Sequence, residues 1–106
     1  MATTPEGKVK DAVKKILRDN NIWFYMPVQT GYGVAGIPDF VCCVPPTGHF
    51  LAIETKAPGK RNQLRPTQVK QIEAIQTARG WALVVDDPQQ LAEFLETIGH
   101  EGLSTA

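Results

Sequence analysis

Cysteine is nearly absent from this sequence, and the two residues present, Cys42 and Cys43, are neighbours. Adjacent side chains on a strand point to opposite faces, so the two do not pair with each other. A disulfide framework is excluded. Long apolar runs are also missing. The longest unbroken ones, Ile22 to Met26 among them, fall well short of the roughly 18 residues needed to span a bilayer. Met1 to Pro5 lack the basic stretch and apolar core of a signal peptide, so the chain is expected in the cytoplasm. There are no internal repeats and no low-complexity segments. A surplus of either charge is missing too: 11 Lys and Arg balance 11 Asp and Glu. Taken as a total, that counts against a nucleic-acid partner. What remains is a chain of 106 residues, 42% hydrophobic and 21% charged, the composition of a soluble globular protein with room for one domain. Its core is expected at about residues 4–98, with 99–106 as a frayed tail.

The charges are distributed unevenly. Lys8, Lys10, Lys14, Lys15 and Arg18 crowd the first segment. Lys56, Lys60, Arg61, Arg65 and Lys70 form a second group with no acid between Glu54 and Glu73, and no Lys or Arg follows Arg79. A neutral chain can thus turn a basic side to phosphates and an acidic side away from them. Read on charge alone, the same groups are equally well explained as solvated helix faces.

Thr3 and Glu6 have the spacing of a capping box, with Pro5 in the first turn. Val9, Val13, Ile16 and Leu17 then follow at helical spacing, which predicts a helix over 4–20. Ile22 to Gln29 reads as a strand, Thr30 to Gly36 as a glycine-rich loop, and Ile37 to Val44 as a second strand. Pro45-Pro46-Thr47-Gly48 is a turn that joins it to a third strand, His49 to Lys56, as a hairpin. Ala57 to Leu64 is a basic loop. Pro66 opens a helix that runs to Arg79 and is closed by Gly80. Trp81 to Val85 is a buried-type strand, and Asp87-Pro88 opens a last helix carried by Leu91, Phe94, Leu95 and Ile98. The order αβββαβα predicts an α/β fold with a mixed sheet flanked by helices, and a crossover through the second helix joining parallel strands.

The third strand ends Ile53-Glu54-Thr55-Lys56. Alternation puts Glu54 and Lys56 on one face, and charges on a largely apolar strand are costly unless paired or bound to metal. Asp39 opens the preceding strand, about fourteen residues earlier. A hairpin with five residues on each side of its turn brings Asp39 beside Glu54 and Lys56. Two carboxylates there make a hard oxygen site suited to Mg²⁺ or Mn²⁺, with the Thr55 backbone carbonyl as a further candidate ligand. Such a metal polarises a phosphodiester and lowers the pKa of a bound water. Lys56 is then placed to orient that water or to stabilise charge building on the phosphoryl group. A same-face salt bridge is the plainer explanation. Glu6 lies at the edge of the first helix's apolar face, where it either completes a second metal site or serves only as a capping residue. Gln68, in the first turn of the second helix, is either a partner of the charged site or a surface residue. Lys60, Arg61 and Arg65 are candidate phosphate contacts. His49 and His100 have no partner at ligand spacing, so zinc is not expected. Cys42 and Cys43 read as small apolar strand residues.

Gly36-Ile37-Pro38-Asp39, Ile53-Glu54-Thr55-Lys56, Leu64-Arg65-Pro66-Thr67-Gln68 and Gly80 before the Trp81 strand together resemble the VRR-NUC domain (virus-type replication-repair nuclease). That family is a branch of the PD-(D/E)xK nuclease superfamily. The resemblance runs over residues 6–86 and is to a stand-alone, phage-type member. It implies an αβββαβ restriction-endonuclease-like core, in agreement with the order read from the residues. It implies Asp39 and Glu54 as metal ligands, Lys56 as the catalytic lysine, Gln68 as the motif glutamine and Glu6 as the helix-1 acid. It further implies a homodimeric Mg²⁺- or Mn²⁺-dependent endonuclease acting on branched DNA, four-way (Holliday) junctions above all, in the host cytoplasm if phage-encoded. Two other readings stay open: a DNA-binding module whose nuclease site is unused or degenerate, and a nuclease for flaps or other DNA structures.

Overall fold

The structure, a computed structural model, describes residues 4–29 and 33–99. The expectations for Thr3, for the loop at 30–32 and for the tail from His100 lie outside those residues. The elements follow the predicted order: α1 (Pro5–Asp19), β1 (Trp23–Tyr25), β2 (Phe40–Val44), β3 (His49–Thr55), α2 (Pro66–Thr77), β4 (Trp81–Val85) and α3 (Pro88–Thr97). They build one four-stranded sheet in the order β1-β2-β3-β4. β1, β2 and β3 pair antiparallel, and the crossover through α2 lays β4 parallel to β3.

α1 begins one residue later than the capping-box spacing suggests. Thr4 is its N-cap, and its hydroxyl accepts from the Gly7 N–H at 2.9 Å. Glu6 therefore does not act as the acid of a capping box, and its carboxylate is free for other partners. Val9, Val13 and Leu17 form the helix's buried stripe. On the outer side, Lys15 pairs with Asp19 at 2.9 Å, and Lys14 reaches Asp11 at 4.0 Å. Part of the helix's positive charge is thus met within the helix. Asn21 takes a left-handed turn (φ 56°) that ends α1 and starts the chain toward β1.

β1 is much shorter than the aromatic run suggests. Only Trp23, Phe24 and Tyr25 pair, with Cys43, Cys42 and Val41. β2 does not begin until Phe40, so little partner strand remains beyond Tyr25, and Pro27 has no N–H to offer one. Alternation sorts the side chains of the sheet onto two faces. Phe40, Cys42, Val44, Leu51, Ile53 and Val85 face α1 and α3, where they are buried with Leu17, Leu91 and Leu95. Such residues each contribute about 1.5–3 kcal/mol through removal from water, and this layer holds most of the fold's stability.

The opposite face is covered only in part, by α2. That helix contains no fully buried residue, and its Val69 is 37% exposed. β4 is likewise half-buried except at Val85, so it is less enclosed than its composition suggests. α2 closes onto the sheet at Gly80, where an added Cβ would lie 2.9 Å from Ile75 and 3.0 Å from Phe50. The left-handed residue that turns the chain is Arg79 (φ 74°), not the glycine. Gly80 is small because the helix lies close, not because its backbone needs the freedom. Toward β1 the face is open, leaving Trp23 and Tyr25 62% and 54% exposed. Among the described residues, no helix is long and apolar enough to cross a membrane.

Candidate active site

The hairpin register runs from Val44↔His49 to Phe40↔Ile53. One step beyond the last pair stand Asp39 and Glu54, at the end of the hairpin away from its turn. Both line a cleft of about 250 Å³ together with Glu6, Lys56, Arg65 and Gln68. Four elements meet there. β3 provides Glu54, the chain just past it Lys56, the entry to β2 Asp39, the first turn of α2 Gln68, and the first turn of α1 Glu6.

Asp39 is held on one side only. Its Oδ2 accepts from the Thr55 N–H at 2.9 Å and from the Thr55 hydroxyl at 2.7 Å. Thr55 is fully buried, so this clamp is stiff, and it leaves Oδ1 turned toward the cleft. Lys10 Nζ lies 3.9 Å from that oxygen and 3.1 Å from Glu6 Oε2. Burial by itself lowers the Lys10 pKa, but the hydrogen bond to Glu6 and the charges of Asp39, Glu6 and Glu54 outweigh it and hold the ammonium above its ordinary value.

Glu54 is only 4% exposed. Burial first, and then the neighbouring Asp39 charge, push its carboxyl up to about 8, against a smaller downward pull from Lys56. Its Oε2 accepts from Gln68 Nε2 at 3.1 Å. The same amide receives Lys56 Nζ on its oxygen at 3.0 Å and the Arg65 N–H at 2.9 Å. These partners fix which way the amide points. A flipped glutamine would turn its oxygen to a carboxylate and its NH₂ to two donors. Arg65, the N-cap of α2, has no acceptor on its side chain, so only the glutamine half of a capping box is formed at this helix.

Gly36 closes the cleft. It is left-handed (φ 82°), and a Cβ on it would overlap the Thr67 carbonyl at the start of α2. The loop before Asp39 is thereby pressed onto the helix that carries Gln68.

The arrangement suits a hard divalent cation. A buried carboxylate that resists ionisation beside another carboxylate is stabilised when a cation joins them. The raised Glu54 carboxyl also hydrogen-bonds the Asp39 side chain. A cation that joins the two carboxylates would take the place of that proton in a polar cleft. Among the described residues, no three His, Cys, Asp or Glu side chains gather as a metal cluster. Glu6 lines the cleft but stands apart, engaged by Lys10.

The basic loop is partitioned by the fold. Arg65 lines the cleft, whereas Lys60 is exposed and lies away from it. Arg61 is tied back: its Nε–H donates to the Val84 carbonyl at 3.0 Å, and its N–H to Asp86 Oδ2 at 3.3 Å. Gly59 donates to the same Asp86 oxygen at 3.1 Å. A hydrogen bond from Gln90 first, and then these N–H groups, hold the Asp86 carboxyl below its usual range. Cys42 is buried, its thiol pushed up to about 12 by that burial, and Cys43 is exposed on the opposite face.

Motif reading does not single out Lys10, Gln29 or the Thr55 side chain. Gln29 lines the cleft, and its side-chain amide donates to the Ile37 carbonyl at 3.3 Å. For Lys10 a signal exists: it stands four residues after Glu6, on the same side of a helix. For Thr55 the position between Glu54 and Lys56 is the only hint.

The VRR-NUC domain family model matches residues 6–86. A solved structure of a VRR_NUC domain aligns with a TM-score of 0.75 at 21% identity, covering 89% of this chain and 97% of that one. At that identity the likeness bears on the fold alone, and it agrees with the αβββαβ core. Among curated proteins none matches the chain.

Proposed function

The chain belongs to the VRR-NUC family, which makes it a nuclease of the PD-(D/E)xK type, and from that premise we propose a divalent-metal-dependent endonuclease of branched DNA. One observation carries the reading. Gln68 joins Lys56 to Glu54 through a single amide, beside the clamped carboxylate of Asp39. Motifs from three separate segments thereby become one site.

In this reading Asp39 and Glu54 hold Mg²⁺ or Mn²⁺, with the Thr55 carbonyl and Glu6 as further ligands. The bound cation supplies Lewis-acid polarisation of the phosphodiester and lowers the pKa of water. The chain's own residues do the rest. The Thr55 clamp sets the direction of the Asp39 carboxylate before substrate arrives. Gln68 uses one of the three Lys56 protons, so the ammonium keeps two donors for the phosphate. As water attacks phosphorus and the ester oxygen leaves, negative charge grows on the phosphoryl oxygens. An ammonium already held in place by Gln68 stabilises that charge without having to reorganise as bulk solvent does. Arg65, at the rim, is suited to hold an adjacent phosphate.

The proposed substrate is the four-way junction and the proposed assembly a homodimer, whose two sites suit a nearly two-fold junction. Support comes from the resemblance and from the exposed Trp23 and Tyr25 on edge strand β1. α3 offers less to a partner, because Leu91 and Leu95 are spent in the chain's own core.

A panel of junction, flap, nicked and linear DNA, incubated with Mg²⁺ and with Mn²⁺, tests the proposal. We expect preferred cleavage of the junction by a dimer, abolished by EDTA and by Glu54→Ala while binding persists. A monomer that cuts flaps and spares junctions would refute the substrate. Salt-sensitive DNA binding without nicking of any substrate would favour a binding module instead.

A further inference from the structure

Lys10 belongs to none of the chain's nuclease motifs, yet its ammonium lies against two carboxylates of the acidic cleft. It extends from α1, one turn after Glu6, with its side chain 30% exposed. It lies 3.1 Å from Glu6 Oε2 and 3.9 Å from Asp39 Oδ1. The second of these oxygens is decisive. Asp39 Oδ2 is already taken by the N–H and hydroxyl of Thr55, so Oδ1 is the oxygen left for a cation. Lys10 and a divalent metal therefore compete for the same acceptor. Lys10 also ties up Glu6, the acid that stands apart from the other two.

We propose that Lys10 is a resident counter-ion of the cleft, displaced when the divalent cation arrives, and that it sets the cation affinity of the site. Before the metal binds, Lys10 is the one cation within ion-pair distance of Glu6 and Asp39 among the described residues, while Lys56 and Arg65 line the same cleft. Without Lys10 those two carboxylates lose their nearest positive charge. Once a dication sits against Asp39, an ammonium at the present distance repels it, and the flexible four-carbon stem lets Lys10 withdraw toward solvent. Metal binding therefore has to displace an existing ion pair, so the site binds more weakly than its carboxylates alone would. Lys10 is a positioning residue in this scheme and touches no reacting atom.

The inference rests on the reading that Asp39 and Glu54 hold the metal, and its test separates the two. Mg²⁺ affinity is measured by calorimetry for wild type, Lys10→Met, Lys10→Gln, Lys10→Arg and Asp39→Asn. At about pH 9 the Glu54 proton no longer obscures the comparison, while a lysine keeps its charge. Removing the charge is expected to tighten Mg²⁺ binding roughly three- to tenfold, the range for a partly exposed ion pair. Lys10→Arg, which keeps the charge, should bind no tighter than wild type. The uncharged Lys10→Gln serves as the second neutral variant should Lys10→Met fold poorly. Equal or weaker binding by the neutral variants, with binding lost in Asp39→Asn, would overturn the role of Lys10 alone and leave it a simple helix pair with Glu6. No Mg²⁺ binding in wild type, or unchanged binding in Asp39→Asn, would overturn the metal reading and this inference with it.

Discussion

At the scale of single residues, Glu54 is the most constrained group in the cleft, and its chemistry gives a prediction with a definite sign. Burial and Asp39 raise its carboxyl from 4.5 to about 8. The folded, metal-free chain thus keeps a proton that the unfolded chain gives up near 4.5. A group shifted this way contributes its full stability below the lower value and loses it progressively as pH climbs to the upper one. Glu54→Gln keeps the shape and removes the titration. Metal-free Glu54→Gln should therefore melt about 5 °C or more above wild type near pH 8, and close to wild type near pH 4.5. Adding Mn²⁺ should raise the wild-type melting temperature and leave the variant unmoved. A wild type whose melting temperature stays level with that of Glu54→Gln from about pH 4.5 to 8 would show that Glu54 ionises freely. The Asp39–Glu54 pairing is readable from the hairpin, because a turn with equal arms fixes what stands opposite. The Thr55 clamp and the Lys10 contact are not, because each depends on how deep a side chain sits and how near another element comes.

At the scale of elements, the cleft is held together by contacts between segments far apart in the chain. Gly36 presses the entry to β2 onto the start of α2, in a left-handed conformation and with no room for a Cβ. Gly36→Ala should cost about 1–3 kcal/mol for the backbone alone. It should reduce cleavage more than its stability loss explains, since the Thr67–Gln68 turn has to move. Denaturant melts paired with single-turnover cleavage at a temperature where the variant stays folded will show whether both fall. Element order was legible because each helix announces its start: Pro5, Pro66 and Pro88 all occupy first turns. Element ends were less so. Aromatic residues favour strand wherever they stand, but a strand exists only where a partner lies alongside, and β1 has one for three residues. The α1 cap moved from Thr3 to Thr4 for a similar reason: two adjacent threonines suit the position, and only the backbone path chooses between them.

At the scale of the whole molecule, a chain of zero net charge must bind a polyanion through local fields. Arg65 lines the cleft, and Lys60 is exposed without a carboxylate partner among the described residues. Arg61, the third expected phosphate contact, is anchored on β4. DNA affinity should fall linearly with the logarithm of salt concentration, and Lys60→Ala and Arg65→Ala should each reduce the slope by about one. Arg61→Ala should mainly lower stability, because the loop then loses its attachment to Val84. Equal slopes in all three variants would mean that the DNA approaches from another side. The sheet's two faces divide the labour. The α1–α3 side holds the core, and the thinly covered α2 side presents the cleft and the exposed aromatics of β1.

In the proposed function, Asp39, Glu54 and Lys56 form one hydrolytic site. Its most direct test is single-turnover cleavage of a four-way junction in Mg²⁺ by Lys56→Ala beside wild type, with junction binding measured in parallel. The variant's rate should be lowered by about 100-fold or more, with binding within a few-fold of wild type. Cleavage at the wild-type rate would contradict it.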